Sequence, residues 1–146
     1  MKLETKVTEI THDDLVLLLS TASEGSSWLA FSYKRDDYEP LKSEDDFFDD
    51  KLAQILLAGK SIEACDYYAE GKHYGNLPYE VLEDDAVVCY KLTLEDIKRG
   101  LGKAFSSQDH ISIYAHHLIE DEGVQLDQPE AEALMQYILF GEEIYG

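Results

Sequence analysis

The chain has 146 residues, 45% of them hydrophobic, with 31 acidic against 12 basic side chains and a formal net charge of −19. That length suits one domain, and that hydrophobic share supports a core, so a disordered acidic tail is excluded. Charge of this sign repels nucleic acid and anionic membrane and attracts basic partners.

Leu3–Ile10 alternates in part and is rich in Thr and Val, which predicts a first strand. Thr11 with Asp14 three residues on reads as a capping box, and Leu15, Leu18, Leu19 and Ala22 follow at helical spacing. Gly25 among Ser23, Ser26 and Ser27 marks the exit loop. Trp28–Tyr33 reads as a second strand and Asp36–Pro40 as a turn. Ser43 with Asp46 repeats the cap pattern ahead of a helical stripe, Phe47, Phe48, Leu52, Ile55 and Leu56, that stops at Gly59. Ile62–Tyr68 predicts a third strand, Ala69–Asp85 a long loop containing Gly71, Gly75, Asn76 and Pro78, and Ala86–Leu92 a fourth strand. Thr93 with Asp96 starts a third helix over Leu94, Ile97, Leu101 and Ala104, with Gly100-Leu101-Gly102 at its exit. Ser107 is read as the cap of a fourth helix running to about Glu120. A fifth starts near Asp127, has Pro129 in its first turn, buries Leu134, Met135, Ile138 and Leu139, and ends at Gly141.

This order predicts a single α+β domain over residues 1–146. Its expected architecture is a sheet of about four strands, mixed or antiparallel, with helices packed mainly on one face and a helical C-terminal third. Cys65 and Cys89 sit in apolar strand-like runs and read as buried free thiols; a disulfide would need those two strands to be neighbours. The N-terminal Met1–Lys6 lacks the apolar stretch of a signal peptide, and the longest apolar run, Leu15–Leu19, is far short of the ~20 residues of a membrane span. The expected compartment is the cytoplasm.

The acids are unevenly spread. Asp36, Asp37, Glu39, Glu44, Asp45, Asp46, Asp49 and Asp50 crowd one segment, and no Lys or Arg follows Lys103. Tyrosines interleave with this region, among them Tyr74 and Tyr79 in the predicted loop, and Tyr beside acid makes a workable protein-binding surface. These acids with Tyr74 and Tyr79 are the candidate partner-binding residues. Lys98, Arg99 and Lys103 form a basic patch too small to suggest nucleic-acid binding. His110, His117 and Asp121 share one face of the predicted fourth helix, and His116 with Glu120 a neighbouring one, a spacing that metals use. A histidine near a helix C-terminus has a simpler reading, since the dipole favours a cation there. No G-x-S-x-G turn and no glycine-rich phosphate loop is present, and no motif implies a cofactor.

Spread over the ~7,600 Å² expected for a 16.6 kDa monomer, the net charge is one per ~400 Å². Duplex DNA carries about one per ~110 Å², so imitation of DNA would need the acids gathered on one face.

Ile10–Leu15, Asp66–Gly71, Leu92–Ile97 and the end Phe140–Gly146 resemble small uncharacterised acidic proteins of phages and mobile elements of gut bacteria. The resemblance implies a genetic setting and carries over no functional residue. The resulting expectation is a non-enzymatic acidic protein that binds a basic protein partner, with DNA mimicry of the anti-restriction or nuclease-inhibitor type as one form of it. A toxin-immunity or adaptor module, and a metal-dependent hydrolase built on His110, His117 and Asp121, are the alternatives. Charge that serves only solubility is the bland reading.

Overall fold

Three helix starts are fixed by reciprocal caps. The side chains of Thr11, Thr93 and Asp127 accept from the backbone N–H groups of Asp14, Asp96 and Glu130, whose carboxylates accept in return from the N–H groups of the capping residues. They open α1 (His12–Ser23), α4 (Leu94–Ser106) and α6 (Gln128–Phe140). The computed structural model describes residues 10–41, 47–82, 86–120 and 126–145. Its other helices are the single turn α2 (Arg35–Tyr38), extended by a 3-10 turn at Glu39–Leu41, then α3 (Phe48–Leu57) and α5 (Ile111–Glu120). α6 ends on Gly141, whose φ of 81° is the left-handed cap that glycine adopts without a Cβ clash.

Strands β1 (Leu29–Ser32), β2 (Ile62–Asp66), β3 (Tyr79–Leu82) and β4 (Val87–Leu92) form one antiparallel sheet in the order β1-β2-β4-β3. Side chains alternate across it. Leu29, Phe31, Ile62, Ala64, Val88, Tyr90 and Leu92 join the helices in the main core, while Cys65, Val87 and Cys89 form a small buried cluster on the opposite face. The fold is thus α+β with its helices on one side of the sheet.

α6 is the hub of the helical layer. It packs on α1, α4 and α5 and buries most of its residues from Ala131 to Phe140, leaving Glu130, Glu132 and Tyr137 part-exposed. Its tightest crossing is with α4. A Cβ on Gly100 would lie 2.6 Å from the Cα of Ile138, so only glycine lets the two backbones approach this closely.

Several sequence expectations are corrected. Most of the expected strand Leu3–Ile10, and the cap at Ser43 and Asp46, lie outside the described residues. The segment read as a loop over Ala69–Asp85 contains β3, a four-residue edge strand with every residue exposed; with neither face buried it has no alternation for the sequence to display. Ser107 ends α4 instead of starting the next helix, and its hydroxyl accepts from the N–H of Asp109. Gly100 and Gly102 lie within α4 and not at its exit, and Asp36–Pro40 is helical turn. Free thiols are also overturned: Cys65 and Cys89 face each other in register across β2 and β4, with Cα atoms 3.9 Å apart, and form a disulfide. Pairing of this kind is usual in oxidising compartments. No helix among the described residues is long and apolar enough to cross a membrane.

Candidate binding surface

Two stretches of the chain, residues 7–33 and 104–146, contain no Lys or Arg. The fold joins them, because α1 packs on α6 and both touch α5. The result is a surface of α1, α5 and α6 whose own described residues include no lysine or arginine, bordered by Lys98, Arg99 and Lys103 on α4. Asp13, Asp14 and Glu24 belong to its α1 side, Asp109 and Glu120 flank or end α5, and Asp127, Glu130, Glu132, Glu142 and Glu143 lie along or just beyond α6. The base-free tail is plain in the sequence. Its union with the first helix is not, since only packing brings positions ~100 apart in sequence into one surface.

Among the described residues of α1, α5, α6 and their flanks the cationic candidates are histidines, and each leans on a carboxylate. His110 Nε2 lies 3.0 Å from Glu143, His117 Nδ1 3.0 Å from Glu130, and His12 Nε2 3.1 Å from Asp50 at the border with α3. His116 Nδ1 pairs with Glu120 one turn on and stacks on Phe105. His110 and His117 therefore serve different partners, and Asp121 lies outside the described residues. Among the described residues no group of three or more His, Cys, Asp or Glu is placed to hold a metal ion. Among the described residues the ring nitrogens of these histidines meet carboxylates, and both cysteines are in the disulfide.

The acid-rich segment 36–50 has a different character. Glu44, Asp45 and Asp46 lie outside the described residues. Asp36 and Glu39 are exposed, but Lys34 and Arg35 stand beside them, Asp37 pairs with Lys60 at 3.8 Å, and the Lys51 ammonium sits over the Tyr38 ring. Asp50 is engaged by His12 and by the N–H of Phe47. Burial, with Asp50 and Glu24 nearby, pushes the Asp49 carboxyl up. The densest acidic run in the sequence is thus interleaved with lysines, whereas α1, α5 and α6 carry none of their own among the described residues.

The two candidate tyrosines part company. Tyr79 is exposed on the edge strand and stacks on His73 at 4.0 Å between ring centroids. Tyr74 is half-buried, packs edge-on to Phe140 and Tyr145, and its backbone N–H donates to the Tyr90 hydroxyl. Tyr67 and Tyr68, at the turn after β2, are as exposed as Tyr79.

A buried polar lock underlies this end of the molecule. Asp66 is fully buried; its carboxylate accepts from the Tyr145 hydroxyl at 2.7 Å and from the N–H of Tyr68 at 2.9 Å. Buried Gln136 holds the same tail, accepting from the N–H groups of Ile144 and Tyr145 and donating to the carbonyl of Tyr145. Burial pushes the Asp66 carboxyl up, with the two hydrogen bonds opposing, and burial together with Asp66 pushes the Tyr145 phenol up.

The opposite side of the sheet carries a cleft of about 440 Å³ where Lys34 and Lys91 mix with Glu63 and Glu80, so the base-free surface does not extend there. Comparison of the chain with protein families, with curated proteins and with solved structures finds no match.

Proposed function

We propose that this chain is a non-enzymatic acidic protein that docks a basic protein partner through the layer formed by α1, α5 and α6. One observation carries the reading: two lysine- and arginine-free stretches of the chain pack together through α1, α5 and α6, and ten described acids lie on or beside these helices. Such a surface raises encounter rates with a basic groove and rejects acidic competitors. The fitting partners are a nuclease, a restriction subunit or another DNA-binding protein, or a basic toxin that the protein neutralises.

Charge density favours protein docking over close imitation of DNA. The accessible surface is 8277 Å², about 440 Å² per net charge. Phosphate-like density would put all nineteen net charges on about a quarter of that area. Acids also stand on the sheet, at Glu63 and Glu80, and on α4, at Glu95 and Asp96, which dilutes the pattern.

Capture of partners from source-cell lysate, with two variants of equal net charge, tests the reading. One variant carries Glu24→Gln, Asp109→Asn and Glu142→Gln on the helical layer; the other carries Glu70→Gln, Glu80→Gln and Glu95→Gln elsewhere. The expected result is a basic partner held at low salt, released by high salt, and lost from the first variant only. Equal retention by both variants, or no basic partner at low salt, refutes it.

A further inference from the structure

At one end of the helical layer a cleft of about 380 Å³ opens between the loop after α1, the turn after β2 and the first half of α6. This lies at the lower end of the ~300–1,000 Å³ typical of small-ligand sites. Three of its nine lining residues are aromatic, and the others are glycine, serine, glutamine and glutamate. Trp28 packs 5.3 Å from Tyr145, and Tyr68, half exposed, meets Tyr145 edge-on at 5.7 Å. Tyr68 is further fixed by a hydrogen bond between its hydroxyl and Ser27. A single carboxylate completes the site. Glu132 Oε2 accepts from the Ser26 hydroxyl at 2.6 Å, which orients the group, while among the described residues its Oε1 has no hydrogen-bond partner. None of the lining residues is basic.

We infer that this cleft receives a guanidinium group, the tip of an arginine side chain. Three features select it. Aromatic faces attract cations, and Tyr68 offers an exposed ring. An oriented carboxylate with a vacant oxygen accepts charge-assisted hydrogen bonds, and guanidinium donates them in a plane that also stacks on an aromatic ring. The negative layer around the cleft disfavours anions. The rigidity of the walls, held by the Asp66–Tyr145 and Gln136 bonds behind them, means that little ordering is needed on binding. The inference deepens the docking proposal and rests on it for the identity of the occupant: the partner's arginine would anchor in this cleft while the acidic layer guides approach.

Trp28 is the sole tryptophan of the chain and borders the cleft, so its emission serves as the readout. The test titrates the full chain with N-acetyl-arginine methylamide and, in parallel, with the matching derivative of citrulline, the neutral isostere. The expected result is a saturable change in Trp28 emission in the millimolar range for the arginine probe, with affinity reduced about tenfold or more for citrulline. Glu132→Gln keeps an oxygen to accept from Ser26 and should fold normally; it should weaken arginine binding about tenfold, and Tyr68→Leu should weaken it as well. No saturable response, equal response to citrulline, or undiminished binding in Glu132→Gln overturns the inference. The two proposals fail separately. A working cleft with no partner captured sinks only the docking reading, and capture that depends on the helical layer with no response to arginine sinks only the cleft.

Discussion

The Tyr145 hydroxyl donates to Asp66 across 79 positions of sequence, a 2.7 Å bond that ties the tail after α6 to the end of β2. Asp66 is fully buried, so the bond stabilises a carboxylate that has lost most of its water. Tyr145→Phe should lower unfolding free energy by about 1–3 kcal/mol in urea titrations, the range for a hydrogen bond to a buried charged group. A loss of a few tenths only would show that the tail is not anchored there.

The same lock sets the direction of the pH dependence. The Tyr145 and Tyr90 phenols are raised above 10.0 in the folded state. Their contribution is fully present below pH 10 and is lost as pH rises through the folded values, because the folded state then holds protons that the unfolded state has released. The Asp66 and Asp49 carboxyls are raised above 3.8, so their contribution is present below that pH and declines as pH rises through their folded values. Melting temperature against pH should therefore fall above pH 10, with a shallower fall in Tyr145→Phe. An alkaline limb identical in both proteins would contradict this.

Two glycines of one helix should respond in opposite directions. Gly100→Ala drives a methyl group to 2.6 Å from the Cα of Ile138 and should destabilise by about 1–3 kcal/mol through overpacking. Gly102→Ala meets nothing within 4 Å and should stabilise by about 0.5–1 kcal/mol through helix propensity. Thermal melts of both variants check the pair.

The sequence displayed what is local and hid what is distant. Thr11, Thr93 and Asp127 were legible as caps because each cap bonds within three residues. Gly100 was misread as an exit because its reason, the backbone of Ile138, lies on another helix. The edge strand β3 left no alternation to read, and the register that pairs Cys65 with Cys89 exists only once β2 and β4 are adjacent. The candidate surface divided in the same way. Acid counts marked the segment 36–50, where lysines interleave in space, while the base-free layer required the packing of α1 on α6.

The disulfide should matter to stability. Cys65 and Cys89 are 24 positions apart and sit on the two central strands. The double variant Cys65→Ser, Cys89→Ser should lose about 2–4 kcal/mol relative to the oxidised protein. Urea midpoints with and without reductant provide the check: reduction should bring the native chain close to the variant, and indifference to reductant would mean the bond is not formed in solution.

The docking claim is tested most directly by hydrogen exchange on the protein with and without its captured partner. The account predicts slowed exchange at the N-terminal turn of α1, along α5 and at the loop around Ser26 and Ser27, with the outer face of the sheet around Glu63, Glu80 and Lys91 unchanged. Protection confined to that sheet face, with the helical layer exchanging freely, would contradict it.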